Sequence, residues 1–113
     1  MQANINSIVD KSGDRPGYVY LLKDNSINEY KIGRSKNLKH RLSTLLTANP
    51  HLQLLDHVIW EDNVYLERYL HKRFETYRVG KSEYFKLNEK DVNWTKALFT
   101  SLEQLFRKLN APA

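Results

Sequence analysis

The stretch GYVYLLKDNSINEYKIGRS, residues 17–35, constrains the fold of this chain more than any other. Residues 17–23 are rich in β-branched and aromatic side chains. EYKIGRS at 29–35 alternates Tyr30 and Ile32 with polar neighbours, so both segments suit extended strands. The DNSIN between them is made of residues that accept turn backbone, which predicts a β-hairpin. An isolated hairpin is marginal in water, so the rest of the chain must supply its cover.

That cover is readable downstream. After Ser35, a residue able to cap a helix, Leu38, Leu42, Leu45 and Leu46 recur at helical spacing until Asn49 and Pro50 stop the pattern. LQLLDHVIW at 52–60 reads as a third strand with Leu52, Leu54, Asp56, Val58 and Trp60 on one face, Asp56 breaking strict alternation. Asp62 or Asn63 opens a second helix with Leu66, Tyr69, Leu70, Arg73 and Tyr77 on one side and Phe74 at its margin, and RVGKS ends it. EYFKL at 83–87 is short and extended. Asn88 with Asp91 then starts a final helix over about 89–109, whose stripe of Trp94, Leu98, Leu102, Leu105 and Leu109 is widened by Phe99 and Phe106. The expected fold is α+β, a small three-stranded mixed or antiparallel sheet flanked by helices in the order β-β-α-β-α-α. It forms one domain over 17–110, preceded by an N-terminal arm, 1–16, that ends in the turn-forming KSGDRP.

Composition narrows the chemistry. The chain of 113 residues has no cysteine, which removes thiol nucleophiles, disulfides and cysteine–zinc sites. No segment approaches the roughly 20 apolar residues of a membrane helix, and the opening MQANINSIVD lacks a basic, then apolar, leader, so the expectation is an intracellular protein without a membrane partner. Lys plus Arg number 18 against 13 Asp plus Glu, a formal charge of +5. Part of the excess is clustered: Arg34, Lys36, Lys39, His40 and Arg41 contain no acid among them, and Lys72, Arg73, Arg78 and Lys81 form a second group. Such clusters suit a polyanion, and a pair of solvated helix faces would look the same.

Neither a glycine-rich phosphate cradle nor zinc-protease histidine spacing is present. What remains is one helical carboxylate, Glu67, a turn before His71 on the flank of an apolar stripe, with Arg78 towards the same flank. On the preceding helix Arg41 stands at the stripe's edge, a turn after Asn37.

GYVYLL followed by YKIGRS, an arginine eight residues after Gly33 and a later LERYLHKRF resemble the GIY-YIG nuclease superfamily. The likeness is closest to its small phage and bacterial branch, with half-motifs G-Y-V-Y and Y-K-I-G and the closing signature E-x2-L-H-x2-F followed by E-[WY]-F; it covers Gly17 to Leu87. The resemblance implies a metal-dependent endonuclease that hydrolyses DNA phosphodiester bonds with Mg²⁺ or Mn²⁺, intracellular or phage-encoded within a host cell. It places the first motif tyrosine at Tyr20, the second motif position at Lys31, the helix arginine at Arg41 and the metal-binding glutamate at Glu67. Two departures stand out: Leu45 where many members have His or Tyr, and no counterpart of the family asparagine, for which Ser82 and Asn88 are the nearest polar residues.

In the implied reaction Glu67 is a hard oxygen ligand, enough for an ion that takes one or two carboxylates and keeps its waters. Arg41 offers a planar fork to the non-bridging oxygens. Tyr20 could accept a proton only as phenolate, which costs ~4 kcal/mol at pH 7 from a reference pKa of about 10 unless a cation lowers it, and Lys31 is the expected cation or itself the group that holds the water. Arg34, Lys36, Lys39, His40, His71 and Lys72 are expected on phosphates, positioning the strand rather than reading its sequence. Two other readings fit the same residues: a nucleic-acid-binding module of this fold without useful catalysis, and an interaction protein that docks through its last helix. Oligomeric state is left at monomer or homodimer, with specificity low, structure-based or supplied by a partner protein.

Overall fold

The computed structural model describes residues 16–112. The N-terminal arm expected over 1–16 lies, apart from Pro16, outside the described residues. Strands β1 (Gly17–Asp24) and β2 (Glu29–Ser35) form the expected antiparallel hairpin, pairing Tyr18 with Ser35, Tyr20 with Gly33 and Leu22 with Lys31. Its turn closes through Asn28 N–H to the Asp24 carbonyl at 2.8 Å, with Asn28 at φ 55°. Asp24 Oδ1 accepts from the Ser26 amide at 2.9 Å and the Ser26 hydroxyl at 2.6 Å, the local side-chain turn that Asp and Ser favour.

Helix α1 (Leu38–Ala48) follows. Its cap is Asn37, whose side-chain oxygen accepts from the His40 amide at 3.0 Å, and not Ser35, whose hydroxyl instead bonds the backbone of Asn37 and stays in the strand. Strand β3 (Leu52–Trp60) pairs antiparallel with β1 on the side away from β2. Its register shifts between Leu21 and Leu22, which face Asp56 and Leu54 and leave Leu55 as an extra residue. This bulge turns the strand over. Leu52 joins Tyr20 and Leu22 on one face of the sheet, and Leu55 and Val58 join Val19 and Leu21 on the other, so the single face expected for 52–60 is divided between two cores.

Helix α2 (Asn63–Arg73) is capped by Asp62, which accepts from the Tyr65 amide at 3.0 Å. It buries Leu66 and Leu70, but Tyr69 is exposed, and Tyr77 lies beyond the helix in a 3₁₀ turn (Glu75–Tyr77) and is also exposed. Arg73 packs its guanidinium 3.5 Å from the centre of the Trp94 ring. The expected three-stranded sheet has a fourth member. Tyr84–Phe85, β4, pairs with Lys31 and Tyr30 of β2, giving the all-antiparallel order β3-β1-β2-β4. Two residues are too few to show strand periodicity; they are held because β2's outer edge offers unpaired backbone groups, one of which, the Ile32 amide, donates to the Glu83 carbonyl at 3.2 Å.

Helix α3 (Glu89–Leu109), capped by Asn88, lies with α2 on one face of the sheet over Val19, Leu21, Ile32 and Phe85. Its buried positions are Val92, Thr95 and Phe99; Trp94, Leu98 and Leu102 are half-buried, while Leu105 is 44% and Leu109 56% exposed. A helix of 21 residues is about 31 Å long, and its last turns, with Leu105 and Leu109, lie outside the core. On the opposite face α1 lays Leu38, Leu42 and Leu45 against Tyr20, Leu22 and Leu52. No described helix is long and apolar enough to cross a membrane.

Candidate active site

β1 turns Tyr20 onto the α1 face of the sheet, opposite Gly33 of β2. The tyrosine is 2% exposed, and its ring lies so close over Gly33 that a Cβ there would sit 2.6 Å from the ring carbon bearing the hydroxyl. Gly33 is therefore required by contact and not by backbone conformation. Lys31, two residues earlier on β2, shares that face.

These strands, the two following helices and the loop before β4 enclose a cavity of about 410 Å³ lined by Tyr20, Lys31, Arg34, Arg41, Glu67 and Glu83, with Ser35 and Lys36 at its side. All four residues expected to carry the reaction line this one space. A second cavity of about 570 Å³ shares Glu67 and Arg34 and continues along α2 past Arg68, His71 and Lys72 to Arg78. Glu67 thus stands where the two meet.

The partners within the site sharpen individual roles. Arg34 Nε lies 3.6 Å from Glu67 Oε1, so a residue expected on phosphate also faces the carboxylate. Lys31 Nζ is 2.8 Å from Glu83 Oε1 and 5.4 Å from the centre of the Tyr84 ring. His71 Nε2 lies 2.7 Å from the Ile32 carbonyl; a carbonyl only accepts, so this nitrogen carries the proton and donates, and the ring anchors α2 to β2 while packing on Phe85. Lys72 pairs with Glu75 at 3.4 Å on the surface of the second cavity. Lys39 and His40 lie outside both spaces, along α1.

Burial dominates the titration. It pushes the Tyr20 hydroxyl up to about 12, with Arg41 the cation that opposes the rise and Glu83 and Glu67 adding to it. The expected fall in the cost of a phenolate is therefore reversed: ionising Tyr20 at pH 7 costs roughly 7 kcal/mol. Burial likewise raises the Glu67 carboxyl above its ordinary value, with Glu83 adding to the rise and His71, Arg34 and Lys31 opposing it.

Glu83 escaped the sequence reading as a site residue, although it is the glutamate of the closing E-Y-F; its neighbours made it look like part of a short strand. Neither residue proposed for the missing asparagine enters the cavity. Ser82 donates to the Val79 carbonyl and accepts from the Tyr84 amide, and Asn88 caps α3. Leu45 packs behind Tyr20. Among the described residues no three His, Asp or Glu side chains group as a metal site; the carboxylates lining this cavity are Glu67 and Glu83.

A family model described as the T5orf172 domain matches residues 17–99, a span that contains every residue lining the cavity. No curated protein and no solved structure matches the chain.

Proposed function

The chain belongs to the T5orf172 domain family, and from that premise and the geometry of the Tyr20–Glu67 cavity we propose that it is a metal-dependent endonuclease of GIY-YIG type hydrolysing DNA phosphodiester bonds. The family is a phage-associated domain related to nuclease-like folds. The observation that carries the reading is the convergence of Tyr20, Lys31, Arg41 and Glu67, drawn from two strands and two helices, on one space rimmed by cations.

Phosphodiester hydrolysis joins a water oxygen to phosphorus and breaks the bond to one ester oxygen, which leaves with a proton while charge builds on the non-bridging oxygens. Arg41, exposed on α1 and lining the cavity, receives that charge with its guanidinium fork. Glu67 fits Mg²⁺ or Mn²⁺ as a half-buried carboxylate held only loosely by Arg34, and the bound ion would supply Lewis-acid stabilisation of the leaving oxygen. Tyr20, neutral at pH 7, serves as an O–H donor that orients the attacking water or a phosphoryl oxygen. Glu83 is the cavity's other carboxylate, and it takes the water's proton while Lys31 holds it in place.

The test is nicking of supercoiled plasmid in Mg²⁺ or Mn²⁺ by the wild type, with Glu67→Ala as the control. Cutting by the wild type alone is expected, and Arg41→Ala should lower the rate about 100- to 1,000-fold. Binding of DNA without cutting would move the chain to the class of non-catalytic binding modules, and equal cutting by both proteins would remove Glu67 from the mechanism.

A further inference from the structure

Beside the cavity, on the same face of the sheet, lies a second feature that the proposed reaction does not use. An open groove of about 560 Å³ runs between α1 and strands β1 and β3, lined by Tyr18, Leu38, Leu42, Leu54 and His57. Tyr18 and His57 stand with ring centroids 5.9 Å apart and planes at 67°, forming an aromatic corner. Leu54 remains 36% exposed beside it. Apolar and aromatic surface is thus left open to water.

Its position is specific. His57 is the register partner of Tyr20 on the β3 side, as Gly33 is on the β2 side, so the corner adjoins the proposed reaction centre across one strand. Tyr18 is two residues before Tyr20 on the same strand face, a separation of about 7 Å. Lys36 lines both spaces, and Lys39 lines the groove's α1 side. An aromatic corner with cations along its edge, sharing Lys36 with the cation-lined cavity beside it, has the make-up of a single-strand site, where bases stack on rings while the backbone follows the positive charge.

We propose that this groove holds one unpaired nucleobase, stacked on Tyr18 and His57, belonging to the nucleotide next to the phosphate in the Tyr20–Glu67 cavity. The proposal rests on the endonuclease reading and narrows its substrate to a strand that is unpaired, or can be unpaired, at the cut. A fully paired base cannot enter, because its faces are already stacked within the duplex.

The test separates this from the catalytic reading by measuring binding without metal. Full-length protein in EDTA is titrated by fluorescence anisotropy with a labelled single-stranded oligonucleotide, a blunt duplex of the same length, and a series of single strands each carrying one abasic position. Wild type should favour the single strand and lose affinity at one abasic position. Tyr18→Leu should weaken single-strand binding about 5- to 150-fold and leave the duplex within about twofold, while Tyr18→Phe keeps the wild-type affinity. On the oligonucleotide abasic at the sensitive position, Tyr18→Leu should have no further effect. Uniform loss across single strand and duplex, no loss in Tyr18→Leu, or no sensitive position in the wild-type series would each overturn the stacking site; the wild-type abasic series does so even if the variant fails to fold. Metal-dependent cutting with those negative results would leave the endonuclease standing without the groove, and stacking without cutting would leave the groove standing without the endonuclease.

Discussion

At the scale of single residues, the pair Tyr20 and Gly33 carries the most consequence. With Tyr20's ring against the glycine, Gly33→Ala must push a nearly fully buried aromatic out of place. We expect a loss of about 1–3 kcal/mol in stability by denaturant unfolding, and a larger fall in activity than the stability loss explains, because the displaced group is itself in the cavity. The raised Tyr20 hydroxyl gives a second expectation. If Tyr20 acts as a neutral donor, the rate should be flat across pH 8–10, whereas a phenolate base would make it climb about tenfold per pH unit towards its value of about 12. Glu67 makes the stability of the metal-free protein pH-dependent on the acid side. Its carboxyl is raised by burial, so the metal-free protein gains the carboxylate only above the ordinary glutamate range, and stability drawn from the protonated form is fully present below that range and lost as pH rises through the folded value. The family resemblance picked out Tyr20, Lys31, Arg41 and Glu67 in the letters, and that these four line one cavity follows from the fold. Tyr20's burial was not legible there, because it depends on α1 packing Leu38, Leu42 and Leu45 around the ring.

At the scale of elements, the site depends on how firmly α1 is fixed to the hairpin, since Arg41 reaches the cavity only from that helix. Asp24 supplies one tie. Nearly buried at the end of β1, it accepts from Ser26 within the turn and, through Oδ2, from the Asn49 side chain at α1's C-cap at 2.8 Å. The Ser26 hydroxyl chiefly, with Asn49 and the Ser26 amide, holds its carboxyl below the usual range despite burial. A depressed carboxyl contributes stability that is present above its unfolded value and lost as pH falls through the folded one. Asp24→Asn should therefore cost about 1–3 kcal/mol at neutral pH, and the difference from wild type should shrink in acid unfolding curves below about pH 4. The elements themselves were largely readable, because each carries its own period or cap: Asp62 and Asn88 cap the helices where their letters suggest. The misread ones are those fixed by partners distant in sequence. Asn37 displaces Ser35 as a cap because β2 extends through Ser35 to pair with Tyr18, β4 exists only against β2, and the bulge at Leu55 turns over a strand whose letters promised one face.

At the scale of the whole molecule, the +5 charge acquires a direction. Arg34, Lys36 and Arg41 surround the first cavity and Arg68, Lys72 and Arg78 the second, with Glu67 between them, so a strand crossing both would meet cations on either side of Glu67. The cations are not equivalent. Arg34 faces Glu67, Lys72 faces Glu75, and Arg78 lies 5.4 Å from the Phe85 ring with its Nε buried and without a hydrogen-bond partner, so its head group is held in place by packing before any phosphate arrives. A track of four to six phosphate contacts predicts that log affinity for duplex DNA falls against log salt with a slope of about −4 to −5, and near −3 to −4 for a single strand. Arg68→Gln, on the second cavity and away from Tyr20, should weaken binding evenly across sequences and reduce that slope by about one, with cutting at saturating DNA retained. A slope near zero in the wild type would mean that the two cavities do not form a continuous track. An unchanged slope in Arg68→Gln beside a steep one in the wild type would confine the strand to the Tyr20 side of Glu67, where Arg41 and Lys36 would then carry the contacts.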